Sequence, residues 1–315
     1  MRYIFILCIS SFYLFADAHI FIYHRFNDDR YPTTSVTNEV LREHFTYLKD
    51  NNYTVIPLKD IVNKIEANES IPDKWIALTI DDGYKSFIEN GLAIFKEFNY
   101  PFSVFIYVEA TEKKYSDFLT WDDIKNIKNE GGDIEYHSYS HAHMTRMNEA
   151  SLKEDFKKGI DIFEKNLGFK PKYFSYPYGE FNENTLNIAK EFGFSAILNQ
   201  NSGAITKNSD IYSLDRPAIV GETNLRQILS QKFLEATWFE PKVFPKDGNL
   251  TKIDLHVNTN SLAAKLYITG LGWRDIKVQN GTISEEINEK LTNKRTRIIV
   301  RVGNSVSTKI ITKDN

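Results

Sequence analysis

The chain has 315 residues, of which 42% are hydrophobic and 26% charged, and this composition is typical of a folded protein with one or two hydrophobic cores. Its formal net charge of −3 gives no reason to expect a nucleic-acid partner. The charge is uneven, because the residues from Pro241 onward include 13 Lys and Arg but only 7 Asp and Glu.

The N-terminal segment MRYIFILCISSFYLFADAH combines one early arginine, an apolar run and Ala16-Asp17-Ala18. This pattern predicts a secretory signal peptide over residues 1–18, with an uncleaved N-terminal anchor as the alternative. The apolar run is short for a membrane span, so we expect no transmembrane segment beyond the signal and a periplasmic or secreted protein. Cys8 is the only cysteine. The mature chain would therefore hold any metal with histidines and carboxylates.

Strand-like and helical patterns alternate from His19 to about Ala236. The strand-like runs are HIFIYH, WIALTIDD, FSVFIYVEA, DIEYHS, YFSYPYG and FSAILN, and amphipathic helical patterns such as NEASLKEDFKKGIDIFEKNLG lie between them. This alternation predicts an α/β fold over residues 19–238, with a parallel sheet or barrel and helices outside it.

The C-terminal part has a different pattern. Residues 239–248, FEPKVFPKDG, contain two prolines and are predicted to form a linker. Residues 249–315 contain short β-type runs, TKIDLHVNT, AAKLYITG, RDIKVQNG, RTRIIVRVGN and TKIITK, joined by Gly and Asn turns. We predict a small antiparallel all-β domain of the Ig-like, sandwich type.

Polar residues follow several of the predicted barrel strands. His24 follows IFIY, Asp81 and Asp82 follow IALTI, His137 follows DIEY, and Pro177-Tyr178-Gly179 follows YFSY. In a parallel barrel the carboxyl ends of the strands face one rim, so we expect these residues to converge there.

His137 and His141 form the pattern H-S-Y-S-H. If the segment is a helical turn, both imidazoles lie on one face and reach one ion; the alternative is a pair of surface histidines on a polar loop. With a carboxylate from another strand end, they would make a set of two histidines and one carboxylate that suits Zn²⁺ or Fe²⁺.

Three motifs resemble those of the polysaccharide deacetylases, the NodB-homology carbohydrate esterases. T-I-D-D-G at residues 79–83 resembles their T-F-D-D-G, H-S-Y-S-H matches their H-[ST]-x-x-H, and S-Y-P-Y-G at residues 175–179 resembles their R-x-P-Y-G. The resemblance extends from about Ile20 to Val220 and implies a distorted (β/α) barrel. Y-H-R-F at residues 23–26 is similar to the N-terminal motif of the exported poly-N-acetylglucosamine deacetylases, whose barrel order is rearranged.

The resemblance implies a hydrolase that releases acetate from an N-acetylglucosamine polymer, with the β-1,6-linked polymer favoured. Asp82, His137 and His141 would bind a divalent metal, Zn²⁺ first, with Co²⁺, Ni²⁺ or Fe²⁺ as alternatives. Asp81 would be the general base. The backbone N–H of Tyr178 would stabilise the oxyanion.

The sequence departs from the family pattern at two positions, so other residues would have to supply the partner of the base and the general acid. Ser175 stands where the family has an arginine that pairs with the base, and the late L-x-x-H segment that supplies the general acid is missing. As in the exported branch, we expect His24 to be the acid, with a structural role at the strand end as the alternative. Arg216 is the first candidate for the partner of Asp81, and Arg25 is the second.

Two other functions remain open from the sequence. Peptidoglycan is the rival substrate, and a carbohydrate-binding envelope protein with a degenerate site is the alternative outside the enzyme class. The basic C-terminal domain is a candidate for contact with the envelope or a polysaccharide, although Lys294-Arg295-Thr296-Arg297 is more often a solvated face and Tyr267 and Trp273 are its few large aromatics.

Overall fold

A computed structural model describes residues 17–313, so residues 1–16 of the predicted signal peptide lie outside the described residues. Asp17 and Ala18 are part of the fold. Ala18 makes a two-way backbone pair with Ile205, and the Asp17 carboxylate lies 3.0 Å from the Lys232 ammonium. Within this described range, no helix is both long and apolar enough to cross a membrane.

The first part of the chain alternates strands with helices. Its strands are β1 (His19–Tyr23), β2 (Arg25–Phe26), β3 (Ser35–Val36), β4 (Thr54–Val55), β5 (Trp75–Ile80), β6 (Ser103–Ile106), β7 (Asp133–Tyr136), β8 (Tyr173–Ser175) and β9 (Ala196–Leu198). Its helices are α1 (Asn38–Asp50), α2 (Leu58–Glu66), α3 (Leu92–Glu97), α4 (Val108–Glu112), α5 (Trp121–Asn129), α6 (Glu149–Leu167), α7 (Glu183–Glu191) and α8 (Leu225–Leu229).

The main sheet is parallel throughout and has the order β1-β5-β6-β7-β8-β9, with β4 paired to β5. The segment after β9 passes between the two outer strands, because Leu214 bridges to Leu198 of β9 and Ala218 bridges to Ile22 of β1. The sheet is therefore a curled half-barrel with helices around it, and the predicted α/β fold is confirmed.

Local sequence explains both ends of α6. The Asn148 side chain accepts the Ser151 N–H at the start of α6, and Gly168 ends that helix with a left-handed φ of 79°. Residues 83–99, GYKSFIENGLAIFKEFN, have a helical pattern, but their helix begins with a π-helical turn, Phe87–Gly91, before α3. Gly91 packs against the Phe26 ring so closely that a Cβ atom would lie 2.8 Å from it. Helix α2 was not predicted.

The C-terminal part contains the strands β10 (Lys232–Phe233), β11 (Ala236–Glu240), β12 (Asn249–Val257), β13 (Ala263–Ile268), β14 (Gly272–Lys277), β15 (Thr282–Lys290), β16 (Arg295–Val302) and β17 (Ser305–Thr312). They form a sheet of order β10-β17-β16-β13-β14 and a sheet of order β11-β12-β15, which share one apolar core. All pairs are antiparallel except β10 with β17. The predicted antiparallel region is confirmed.

Two details of the C-terminal region differ from the sequence expectation. Strand β15 was not predicted, because its sequence TISEEINEK contains three glutamates and only Ile283 and Ile287 are buried. Strand β11 includes Phe239 and Glu240 from the segment predicted to be a linker.

Candidate metal and catalytic centre

Asp82, His137 and His141 converge at the carboxyl ends of β5 and β7. The Asp82 Oδ1 atom lies 3.2 Å from His137 Nε2 and 3.0 Å from His141 Nε2. One ligand atom from each of the three residues lies within 4.8 Å of the others. Asp82 has a left-handed φ of 74°, followed by Gly83 at 77°, and this sharp turn directs the carboxylate toward the histidines.

The segment between the two histidines is an irregular loop and not the helical turn that was one possibility from the sequence. Ser138 and His141 have positive φ values of 66° and 50°, which fold the loop back toward the cluster. Asp155 supports it, because its carboxylate accepts the backbone N–H groups of Tyr139 at 3.0 Å and Ser140 at 2.9 Å. Asp155 therefore holds the loop that carries His141 in shape.

The sequence analysis did not single out Asp155, although a signal for it exists. Asp155 lies in the buried stripe of α6, between Leu152, Phe156 and Gly159, at the spacing of a core-facing helix side. A carboxylate inside such a stripe has to be satisfied by buried donors. Burial raises the pKa of Asp155, and the hydrogen bonds from Ser140 and Tyr139 oppose that rise.

The orientation of His137 suits metal binding. Its Nδ1 atom donates to the backbone carbonyl of Ser175 at 2.7 Å, so Nε2, which faces Asp82, is the nitrogen that would bind a metal once its proton is lost. Burial alone would raise the pKa of Asp82, but the hydrogen bonds from His137 and His141 hold that pKa well below its usual range. An ionised carboxylate beside two imidazole nitrogens is a donor set that fits Zn²⁺.

Asp81 points to a different partner, Arg216. The guanidinium donates from Nη1 to Asp81 Oδ1 at 3.0 Å and from Nη2 to Asp81 Oδ2 at 2.8 Å, and both side chains are fully buried. The Ser175 hydroxyl also donates to Asp81 Oδ2, at 2.9 Å. Burial tends to raise the pKa of Asp81, but Arg216 and His137 hold it below the ordinary carboxyl value.

The closing segment of the barrel explains how Arg216 reaches Asp81. Arg216 lies between Leu214 and Ala218, which bridge to the two outer strands of the sheet. Its Nε donates to the Asn199 carbonyl at 3.1 Å, and its Nη1 also donates to the Thr79 hydroxyl at 2.9 Å. The guanidinium therefore lies inside the half-barrel, and its Nε, Nη1 and Nη2 atoms all donate hydrogen bonds there.

Arg25, the second candidate, is engaged elsewhere. Its Nη1 lies 2.7 Å from the Asp28 carboxylate and 2.6 Å from that of Asp117. Its Cζ lies 3.9 Å from the centroid of the Tyr31 ring and 3.5 Å from that of Tyr84. Arg25 thus connects the loop after β2 to the loop before α5, and the described hydrogen bonds include none between Arg25 and Asp81.

His24 follows β1 at the same rim. Its Nδ1 atom is buried and has no hydrogen-bond partner among residues 17–313. Burial lowers the pKa of His24, and the charges of Asp82 and Asp81 oppose that shift. The structure thus places the His24 imidazole within the field of both carboxylates.

Tyr178 follows β8 and is held by contacts with its backbone and its ring. Its φ of 60° is left-handed, its ring stacks on His143 with centroids 4.2 Å apart, and it meets the His141 ring edge-on at 4.7 Å. Arg295 of β16 donates to the Tyr178 carbonyl at 2.8 Å. Buried Glu180 contacts His143 at 2.7 Å and the Arg295 Nε at 3.1 Å. Glu180 was not predicted from the sequence, because no local pattern marks it.

The fold is a parallel half-barrel, and its rim carries two histidines and one carboxylate beside a second ionised carboxylate. This combination is typical of hydrolases whose site is able to hold a divalent metal. Residues 68–197 match the family model described as polysaccharide deacetylase. The resemblance found in the sequence is thus confirmed: residues 68–197 are similar to the polysaccharide deacetylases.

Individual deacetylases are also similar to this chain in sequence. The poly-β-1,6-N-acetyl-D-glucosamine N-deacetylase of Escherichia coli K12 is 21% identical over 241 residues, covering 62% of this chain and 35% of that protein. The peptidoglycan-N-acetylglucosamine deacetylase of Bacillus cereus is 33% identical over 123 residues, covering 39% of this chain and 42% of that protein. The chain is therefore aligned with less than half of either relative.

Two solved structures share the fold. The Streptococcus pyogenes deacetylase PplD superposes with a TM-score of 0.63 at 21% identity and covers 68% of this chain and 98% of that one. IcaB from Ammonifex degensii gives a TM-score of 0.59 at 21% identity, with 65% and 92% covered.

Proposed function

We propose that the protein is an exported, metal-dependent N-deacetylase of N-acetylglucosamine polymers, with the β-1,6-linked polymer as the favoured substrate. The observation that supports this most strongly is the pairing of a ligand cluster, Asp82, His137 and His141, with an adjacent ionised carboxylate, Asp81, whose oxygens are held by Arg216. The printed name of the Escherichia coli relative supports the choice of polymer.

Asp82, His137 and His141 would hold the cation, with Zn²⁺ the first choice and Co²⁺, Ni²⁺ or Fe²⁺ as alternatives. When bound, a divalent cation polarises the acetamide carbonyl and lowers the pKa of a water. Two contacts suit the site to a cation. The neighbouring histidines keep the pKa of Asp82 low, and the Ser175 carbonyl fixes the His137 ring. The residues present therefore fit a metal of this class.

Asp81 would accept the proton of the attacking water. Its Oδ2 atom accepts hydrogen bonds from Arg216 and Ser175, whereas Oδ1 accepts one bond, from Arg216. A carboxylate oxygen has two lone pairs, so Oδ1 retains one for the incoming proton. Arg216 would thus perform the task of the missing motif arginine by orienting Asp81 and keeping it ionised.

Tyr178 and His24 would complete the reaction. The left-handed backbone of Tyr178, fixed through its carbonyl and ring, would present its N–H to the developing oxyanion. Since burial lowers the pKa of His24, its imidazolium form is a stronger acid than an ordinary histidine and would protonate the leaving amine. Replacing His24 with Ala should lower turnover while the protein retains its metal. Loss of metal would instead show that His24 is a metal ligand or a structural residue.

The decisive experiment measures acetate release and metal content together. The full chain, with and without added Zn²⁺, is given β-1,6-linked N-acetylglucosamine oligomers, chitin oligomers and peptidoglycan. We expect release from the β-1,6-linked oligomers, abolished by a chelator and restored by Zn²⁺. Asp82→Ala should lose both metal and activity, whereas Asp161→Ala, which changes an exposed carboxylate on α6, should retain both. Activity in Asp82→Ala would refute metal dependence through this cluster.

Two alternatives are separated by the same assay. Release from peptidoglycan alone would favour the activity in the name of the Bacillus cereus relative. Tight glycan binding without release under any metal would favour a degenerate carbohydrate-binding protein. That second alternative rested on the missing motif arginine and the missing late histidine. Arg216 supplies a guanidinium at Asp81, which weakens the first of these grounds.

Export is tested by fractionating cells and sequencing the N-terminus of the released protein. We expect the mature chain to start at His19 in the periplasm or medium. A protein that starts at Met1 and stays with the cells would contradict this. Cleavage after Ala18 would also remove the contact between Asp17 and Lys232.

A further inference from the structure

One face of the C-terminal five-stranded sheet packs against the rim of the half-barrel. Arg295 and Arg297 lie two residues apart on β16 and donate to the backbone carbonyls of Tyr178 and Gln200, at 2.8 and 2.9 Å. Side chains two apart on a strand lie on the same side of the sheet, so this side faces the barrel. The basic run of residues 294–297 is thus partly an internal contact and not simply a solvated face.

The same face continues beyond the barrel onto β13 and β14. Tyr267 pairs with Ile299 of β16 on one side and with Trp273 of β14 on the other. Directly paired residues project from the same side of a sheet, and neighbouring strands are about 4.8 Å apart, so Trp273 lies about 10 Å from β16. The part of the sheet that packs against the barrel therefore continues as a surface beside the rim. This surface carries Tyr267, Trp273 and Ile299, and we call it the ledge.

This ledge forms a cleft of about 350 Å³ lined by Tyr267, Thr269, Trp273, Arg295, Arg297 and Ile299. The Tyr267 and Trp273 rings lie 5.2 Å apart, and Trp273 is 47% exposed. The Nε atom of Arg297 is buried without a hydrogen-bond partner among the described residues. The cleft thus combines two aromatic rings with two arginine side chains.

We propose that this cleft is a subsite for N-acetylhexosamine units that flank the unit being deacetylated. Sugar rings have an apolar face that packs on aromatic rings and oxygens that accept hydrogen bonds from guanidinium groups. Arg295 makes the two sites continuous, because it lines the cleft and also contacts the Tyr178 carbonyl and Glu180. The inference rests on the proposed function and assigns the C-terminal region a role in binding the polymer.

The test measures binding directly, so that it does not depend on catalysis. The full chain is titrated calorimetrically with β-1,6-linked N-acetylglucosamine dimers and hexamers. In Trp273→Ala we expect hexamer binding to weaken about tenfold, as loss of a buried aromatic contact implies, while dimer binding is unchanged. Tyr267→Ala is a second variant on the same ledge. Phe239→Ala is the matched control, because Phe239 is also 47% exposed but lies on β11 of the other sheet.

The outcomes separate the subsite from the proposed activity. Hexamer binding that is equal in wild type and Trp273→Ala, equally weakened by Phe239→Ala, or undetectable in wild type would overturn the subsite. Acetate release is measured on the same samples. Release with no dependence of binding on Trp273 overturns the subsite alone, whereas Trp273-dependent binding without release supports the subsite and overturns the deacetylase proposal.

Discussion

The half-barrel and the C-terminal sheets bury different kinds of side chain. The half-barrel buries ionisable groups at or near its strand ends, among them Asp81, Asp82, His137 and Arg216. In the described chain from Asn249 to Lys313, the only buried polar side chains are those of Thr296 and Thr308, and the shared core is aliphatic apart from Phe244. Buried charges cost stability unless they are paired, so the difference separates a region built for reactivity from one built to present a surface.

Arg216→Met should have the largest effect, because it removes the partner of a fully buried carboxylate. We expect the free energy of unfolding to fall by about 3–5 kcal/mol and acetate release to be lost. Chemical denaturation and the acetate assay measure the two effects. Arg42→Met is the control, since Arg42 pairs with Glu97 on the surface and its loss should cost less than about 1 kcal/mol.

A double variant sharpens this prediction. Combining Arg216→Met with Asp81→Asn removes both charges, so part of the lost stability should return although activity stays absent. Equal stability of Arg216→Met and Arg42→Met would contradict the buried pair as the feature that distinguishes the half-barrel.

Asp215 allows a test of pH dependence at the junction of the two regions. Burial raises its pKa to about 7 from an ordinary 3.8, and hydrogen bonds from Asn199 and Asn201 and the charge of Arg297 oppose the rise. Between these two values the folded state binds the proton more tightly than the unfolded state. The contribution of this group to stability is therefore present at acid pH and is lost as pH rises from about 4 to about 7.

Asp215→Asn isolates that effect, because its neutral amide resembles the protonated acid. Relative to the variant, the wild type should lose up to about 4 kcal/mol in free energy of unfolding between pH 4 and pH 7, at ~1.4 kcal/mol per pH unit. Denaturant titrations of both proteins across this range provide the measurement. A difference that stays constant with pH would refute the raised pKa.

Thr296→Val should have the smallest effect. The Thr296 hydroxyl is buried and donates to the Asn293 carbonyl at 3.1 Å, but Asn293 itself is exposed and its carbonyl is able to bond water. Replacement by a side chain of similar shape should change the free energy of unfolding by about 1 kcal/mol or less and leave acetate release unchanged. Destabilisation as large as that of Arg216→Met would show that the C-terminal sheets also depend on buried polar contacts.

Much of the architecture could be predicted locally. Alternation of strand and helix patterns predicted the parallel sheet, and the position of Asp81, Asp82 and His137 after strand-like runs predicted a common rim. Strand β15 was missed because its exposed face is rich in glutamate, and helix α2 was missed because its short pattern, LKDIVNKIE, lies between stronger signals. Local patterns thus indicate elements best when most of their residues are apolar.

The sequence by itself determined the doubled carboxylate, the two histidines and the strands that carry them, because these depend on residue type and short-range periodicity. Only the tertiary structure decided that Arg216, 135 positions from Asp81, is the residue that pairs with it. It also decided that Asp155 holds the histidine loop and that Arg295 from the other region holds Tyr178. Such contacts depend on how a closing segment or a second sheet packs, and no short-range pattern in the sequence encodes that packing.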